Sequence, residues 1–228
     1  MAFTDSDCIP DCKWVENAVE LLKTSAYERI AGNIELFYKN SERLTIAELY
    51  ESVFAFKQKE SAELKGSAVT GNMITFKYVI DNVGLFNENL LSGGDHEWAS
   101  RANLRGYKIC FGPNVTIKHP ARSTIKELLK KTKRIGGGSA TLYKNSKIKA
   151  IYKFLTSSKP PFEATYWLTK YGTHLNKLQK LLVFMVKYYI NILLITLPNI
   201  LANSLLRYIR RELYKKILPR LFILNLKD

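Results

Sequence analysis

The stretch FTDSDCIP, Phe3–Pro10, sets two carboxylates, Asp5 and Asp7, one residue apart directly after an apolar segment. Side chains at i and i+2 share one side of an extended chain, and at a strand end both can turn toward one divalent cation. Either aspartate can instead cap the helix that begins near Lys13. D-x-D is a common pattern, so its meaning depends on the rest of the chain.

Beyond Pro10 the sequence has a β-α-β rhythm. Trp14, Val15, Ala18, Val19 and Leu22 recur at helical spacing, and RIAGNIELFY, from Arg29, reads as a strand with a glycine inside it. Thr45 and Glu48 form a capping box that opens a helix of about four turns with Ile46, Leu49, Tyr50, Val53 and Phe54 on its apolar face. GSAVTGNMITF is β-rich, KYVIDNVGLF is a short helix stopping at Gly84, and GGDHEWASRANL is a turn opening a helix that ends before Gly106. YKICF and NVTIKH read as two strands separated by Gly112-Pro113, and Thr124 with Glu127 caps a helix expected to end at Gly136–Gly138.

The 228 residues, 46% apolar, fit a folded chain with one core and a C-terminal appendage. The formal net charge of +15 is uneven: residues 128–228 hold 20 Lys and Arg against Glu163, Glu212 and Asp228. This tail carries no nucleic-acid-binding signature and its lysines alternate with long apolar runs, so nucleic acid is not expected as a partner. The run from Leu181 to Leu201, followed by RYIRRELYKK, has the length of a bilayer span with a basic cytoplasmic flank. Lys187, Asn191 and Pro198 suit instead a helix lying in the membrane interface or docked on the globular part. The odd cysteine count, Cys8, Cys12 and Cys110, points to a reducing setting with small buried thiols; the alternative is a zinc pair at Cys8 and Cys12 completed by a histidine.

Two further groups bear chemistry. In GGDHEWASR, Gly93–Arg101, Asp95 and Glu97 fall in the first helical turn, where the helix dipole favours carboxylates. Asp95 is also a candidate general base, with Arg101 further along to hold an anionic group. In IKHPAR, His119 leaves a strand just before Pro120 and is a candidate metal ligand or phosphate contact, as Arg122 is for a pyrophosphate.

Together, in unbroken order over residues 3 to about 140, FTDSDCIP with W-x-E-N, GSAVTGNM, VGLFNENLLSGGDHEWxxR, GYKI and VxxKHP resemble the second half of a family 2 glycosyltransferase of GT-A fold. The resemblance implies an α/β chain: an incomplete, Rossmann-like mixed sheet over residues 1–150, then a helical, membrane-associated region over 151–228. It implies that Asp5 and Asp7 hold Mn²⁺ or Mg²⁺ against the diphosphate of a nucleotide-sugar donor, with His119 a third candidate ligand and Arg101 and Arg122 on the nucleotide side. Asp95 looks like the family's base for an inverting transfer. Thr70, Gly71, Asn72, Gly94, Glu97 and Trp98 would border donor sugar and acceptor, a glycan or lipid-linked hydroxyl.

Such a domain carries about a hundred residues before its D-x-D, so the chain is expected to be the C-terminal part of a longer enzyme or to need a partner chain supplying the nucleotide-binding half. An unpaired sheet edge and an uncovered apolar face should result. The expected location is the cytoplasmic face of the cell membrane. The competing expectation is an inactive remnant serving as a membrane-bound interaction module.

Overall fold

A computed structural model describes residues 1–90, 92–143 and 160–199. Its sheet is mixed and five-stranded: β1 (Ala2–Thr4), β2 (Ile9–Pro10), β3 (Arg29–Phe37), β4 (Asn72–Thr75) and β5 (Ile109–Pro120), in the order β1-β4-β3-β5-β2. β4 runs antiparallel to β1 and β3, and β3 is parallel to β5. Consequently β1, β3 and β5 point the same way, and the segment Asp5–Cys8 runs across their carboxyl ends from one sheet edge to the other.

The helices are α1 (Trp14–Thr24), α2 (Ile46–Phe54), α3 (Gln58–Lys65), α4 (Lys77–Val83), α5 (Gly94–Leu104), α6 (Ile125–Tyr143), α7 (Glu163–Tyr171) and α8 (Lys177–Asn199). One sheet face is covered by α1, whose Trp14, Ala18 and Leu22 meet Ile30, Ile74, Val115 and Ile117. A second core, around Met73, Val79, Val83, Trp98 and Ala102, packs α4 and α5 together with Ala31 of the sheet. Both capping boxes form as expected, Thr45 with Glu48 and Thr124 with Glu127.

Four expectations need correction. The expected four-turn helix is two helices, because Phe56 adopts φ 46°, a left-handed conformation that ends α2 and starts α3 in a new direction. The two strands around Gly112-Pro113 are one strand: Gly32 pairs with Gly112 but Asn33 pairs with Thr116, so three residues bulge without ending the ladder. α6 continues through Gly136–Gly138, since packing along α8 overrides a glycine cost of about 1 kcal/mol each. Finally, among the described residues no helix is long and apolar enough to cross a membrane. α8 is interrupted by polar Lys187, Tyr188, Tyr189 and Asn191, and it packs Val183 and Ile190 against α2, α6 and α7. The basic stretch RYIRRELYKK and the end of the apolar run lie outside the described residues.

β1 is an edge strand, paired only with β4 among the described residues. Beside it runs an apolar groove lined by Met1, Trp14, Val15, Val19, Leu22 and Phe76. Val15 and Val19 are exposed on α1 at this groove.

Candidate active site

Open α/β sheets present ligand sites at the carboxyl ends of their strands. Here that end collects Asp5 and Asp7 after β1, Cys8 before β2 and His119 near the end of β5. One ligand atom from each lies within 4.8 Å of the others. His119 is nearly buried and its Nδ1 lies 2.7 Å from the Pro120 carbonyl, which can only accept, so Nδ1 carries the proton. In the neutral ring Nε2 is then a lone pair, and it lies 3.8 Å from a carboxylate oxygen of Asp5 and 3.9 Å from one of Asp7. With the ring neutral, three electron-rich atoms converge on one point and repel each other unless a cation sits among them. A ring N–H given to a backbone carbonyl is also how proteins orient metal-ligating histidines. The residues present therefore fit a divalent ion.

The cysteine expectations are altered. Cys8 belongs to the carboxylate and imidazole cluster rather than to a pair with Cys12, which is exposed and hydrogen-bonded to Asp11. Burial pushes the Cys8 thiol above its ordinary value of 9.0, so Cys8 stands in the cluster as a thiol rather than a thiolate at neutral pH.

A cationic group adjoins the cluster. The Phe56 ring packs on the His119 imidazole with centroids 4.5 Å apart, and the Lys131 ammonium lies 5.3 Å from the centre of that ring. The left-handed backbone at Phe56 is what brings the ring there. Lys131 Nζ and Arg122 Nη1 both donate to the fully buried Glu51 carboxylate, at 3.1 and 2.9 Å, and the Arg122 amide donates to its other oxygen. Burial alone would push the Glu51 carboxyl up, but Lys131 and Arg122 together hold it below 4.5; burial lowers the Lys131 ammonium below 10.5. Arg122 thus lies in a cluster with Glu51 and Lys131, two partners the sequence did not reveal. Phe56 and Lys131 were missed, since a phenylalanine gives no signal for positive φ and Lys131 is 80 residues from Glu51.

The other candidates separate into those at the site and those in the scaffold. Gly71 abuts Asp5: a side-chain carbon there would lie 3.1 Å from an Asp5 carboxylate oxygen. Thr70 precedes it, half-buried, in the turn entering β4. Asn72 is corrected from substrate contact to scaffold, for it is fully buried. Its amide donates to the Asn33 and Val115 carbonyls and accepts from the Trp14 indole, filling the gap that the β5 bulge opens. Gly32 is required beneath it, because a side chain there would overlap the Asn72 amide. Truncating Asn72 would strand three polar groups, at about 1–3 kcal/mol each.

Trp98 is likewise corrected. It is fully buried, donates to the Gly84 carbonyl and packs against Phe86, so it offers no face to a sugar. Arg101 and Glu97 pair with each other at 2.8 Å, and Arg101 also donates to the Val83 and Leu85 carbonyls. This clamp fixes α5 to the loop after α4 and does not bring either residue to the metal-fitting cluster. Asp95 sits in the first turn of α5 with its carboxylate accepting from the His96 amide at 2.9 Å. The His96 ring is 3.1 Å from Ser67 Oγ, tying this helix start to the segment that leads to Gly71. Before it, Gly93 at φ 83° and Gly94 leave open space: a side-chain carbon on either would meet no atom within 4 Å.

No family model matches the chain. A curated protein of Haloferax volcanii, Glycosyltransferase AglE, is 37% identical over 143 residues, which make up 63% of this chain and 46% of that protein. This chain is similar to a glycosyltransferase. The match spans less than half the length of AglE and supports the class of enzyme that the motifs lead one to expect.

Proposed function

We propose that this chain is the metal- and acceptor-binding part of a family 2 glycosyltransferase of GT-A fold, which moves a sugar from a nucleotide-sugar to a hydroxyl of a glycan or lipid-linked acceptor with inversion. The observation that carries this reading is the His119 imidazole, whose Nδ1–H is committed to a carbonyl while Nε2 faces two carboxylates. Asp5, Asp7 and His119 would hold Mn²⁺ or Mg²⁺. Bound there, the ion supplies charge neutralisation for the departing diphosphate.

The chain's own residues account for the rest. Arg122 and Lys131 outnumber the one carboxylate they share, so the region beside His119 favours a diphosphate over a neutral ligand. Thr70 and Gly71 border the donor sugar, with Gly71 leaving Asp5 its room. The open approach at Gly93 and Gly94 admits the acceptor to Asp95. Asp95 takes the proton of the acceptor hydroxyl as its oxygen attacks the anomeric carbon, and the bond from that carbon to the diphosphate breaks with its electron pair leaving on the nucleotide. The exposed edge of β1 and the groove along α1 suit a further strand and helix packed against them. The basic tail favours work at the cytoplasmic face of the membrane.

Release of nucleoside diphosphate from a panel of nucleotide-sugars, with solubilised lipid-linked acceptors present, tests this reading. The expected release stops with a chelator and returns with Mn²⁺. Metal-independent release contradicts the assigned site, and the absence of both release and nucleotide binding marks an inactive interaction module.

A further inference from the structure

Helix α8 is apolar on two faces, and the fold uses one. Val183 and Ile190 are buried against α2, α6 and α7. Leu178, Leu181 and Met185, spaced i, i+3 and i+7, line the opposite face and are 64%, 57% and 47% exposed. Leu182 and Ile192 fall on the same stripe, half-buried. A continuous apolar stripe left in water marks an interaction site rather than scattered surface residues.

Charge identifies the occupant. Lys177 flanks the stripe, and α8 carries Lys177, Lys180 and Lys187 but no Asp or Glu. An exposed apolar stripe on a cationic helix that carries no acid is the pattern of a helix lying in the plane of a membrane interface, with apolar side chains in the headgroup boundary and cations drawn to anionic headgroups. An acidic protein partner would meet the lysines but would leave large aliphatic side chains without a matching surface; an anionic bilayer meets both. We propose that the Leu178, Leu181 and Met185 face of α8 docks on an anionic lipid surface. The proposal rests on the membrane-proximal placement in the proposed function and is independent of the metal-fitting cluster.

Co-sedimentation of the full chain with phosphatidylcholine–phosphatidylglycerol vesicles, against pure phosphatidylcholine vesicles, tests it. The chain is expected to bind the anionic vesicles, and Leu181→Glu with Met185→Glu is expected to weaken that binding about tenfold or more. Both positions are exposed, so the thermal midpoint of the variant should match that of the parent chain. Leu181→Trp provides a second readout that keeps the fold: its added fluorescence should be quenched by brominated lipid. Equal vesicle binding by the double variant, or no quenching of the added tryptophan, overturns the assignment of this face while leaving a membrane role in place. No vesicle binding by the parent chain overturns both. Self-association that the same substitutions abolish, without vesicle binding, assigns the face to a second copy instead.

Discussion

Asp95→Asn is expected to lower sugar transfer by about 10²–10⁴ while leaving nucleotide binding nearly intact. The exchange is isosteric, and the amide oxygen of Asn can still accept from the His96 N–H, so the start of α5 keeps its geometry. What it loses is the ability to take a proton. The competing explanation of Asp95, a carboxylate favoured by the helix dipole, predicts a stability loss of about 0.3–1 kcal/mol and no change in rate. Steady-state transfer beside a thermal melt separates the two: an unchanged rate with a small loss of stability removes Asp95 from the base role.

Glu51→Ala is expected to be the most destabilising substitution near the site, at about 3–5 kcal/mol. The carboxylate is fully buried and holds Arg122 beyond β5 and Lys131 on α6 to helix α2. Removing it leaves two cations facing each other in a buried pocket, a larger penalty than the pair itself contributes. Acid should have the same effect on the parent chain. Because the Glu51 carboxyl titrates below 4.5 in the folded state, the unfolded chain binds more protons in the interval between the two values. The stability from this carboxylate is therefore full above 4.5 and is lost as pH falls through the lower, folded value. Denaturant unfolding of parent and Glu51→Gln should show a gap that is wide at neutral pH and narrows as pH falls through the lowered, folded-state value of Glu51. A gap that does not change with pH would mean that Glu51 acts through packing alone.

Much of the fold was legible where local chemistry agreed with tertiary structure. The Thr45–Glu48 and Thr124–Glu127 boxes, the apolar spacing of α1 and the stop at Gly84 are local signals, and the structure keeps each of them. The misreadings occur where a distant partner decides. The break at Phe56 depends on packing against His119, the long β5 on the Asn72 amide that satisfies its bulge, and the passage of α6 through three glycines on α8 beside it. At the site, the clustering of the aspartate pair with His119 was legible because their residue types and spacing name a chemistry, while Asp95 as the base belongs to the proposal. Asn72 and Trp98 share the same motifs but serve the scaffold, and only burial distinguishes them. Cys8, Phe56 and Lys131 join the site through contacts that no spacing along the chain encodes.

The central claim is that Asp5, Asp7 and His119 hold a divalent cation on which a nucleoside diphosphate closes. Titration of the full chain with Mn²⁺, read by the loss of the free-ion electron paramagnetic resonance signal with and without UDP or GDP, tests it most directly. The account predicts one Mn²⁺ site, tightened by a nucleoside diphosphate and lost in both Asp7→Asn and His119→Ala. Mn²⁺ binding that survives both substitutions, or nucleotide binding that is indifferent to the ion, would contradict it.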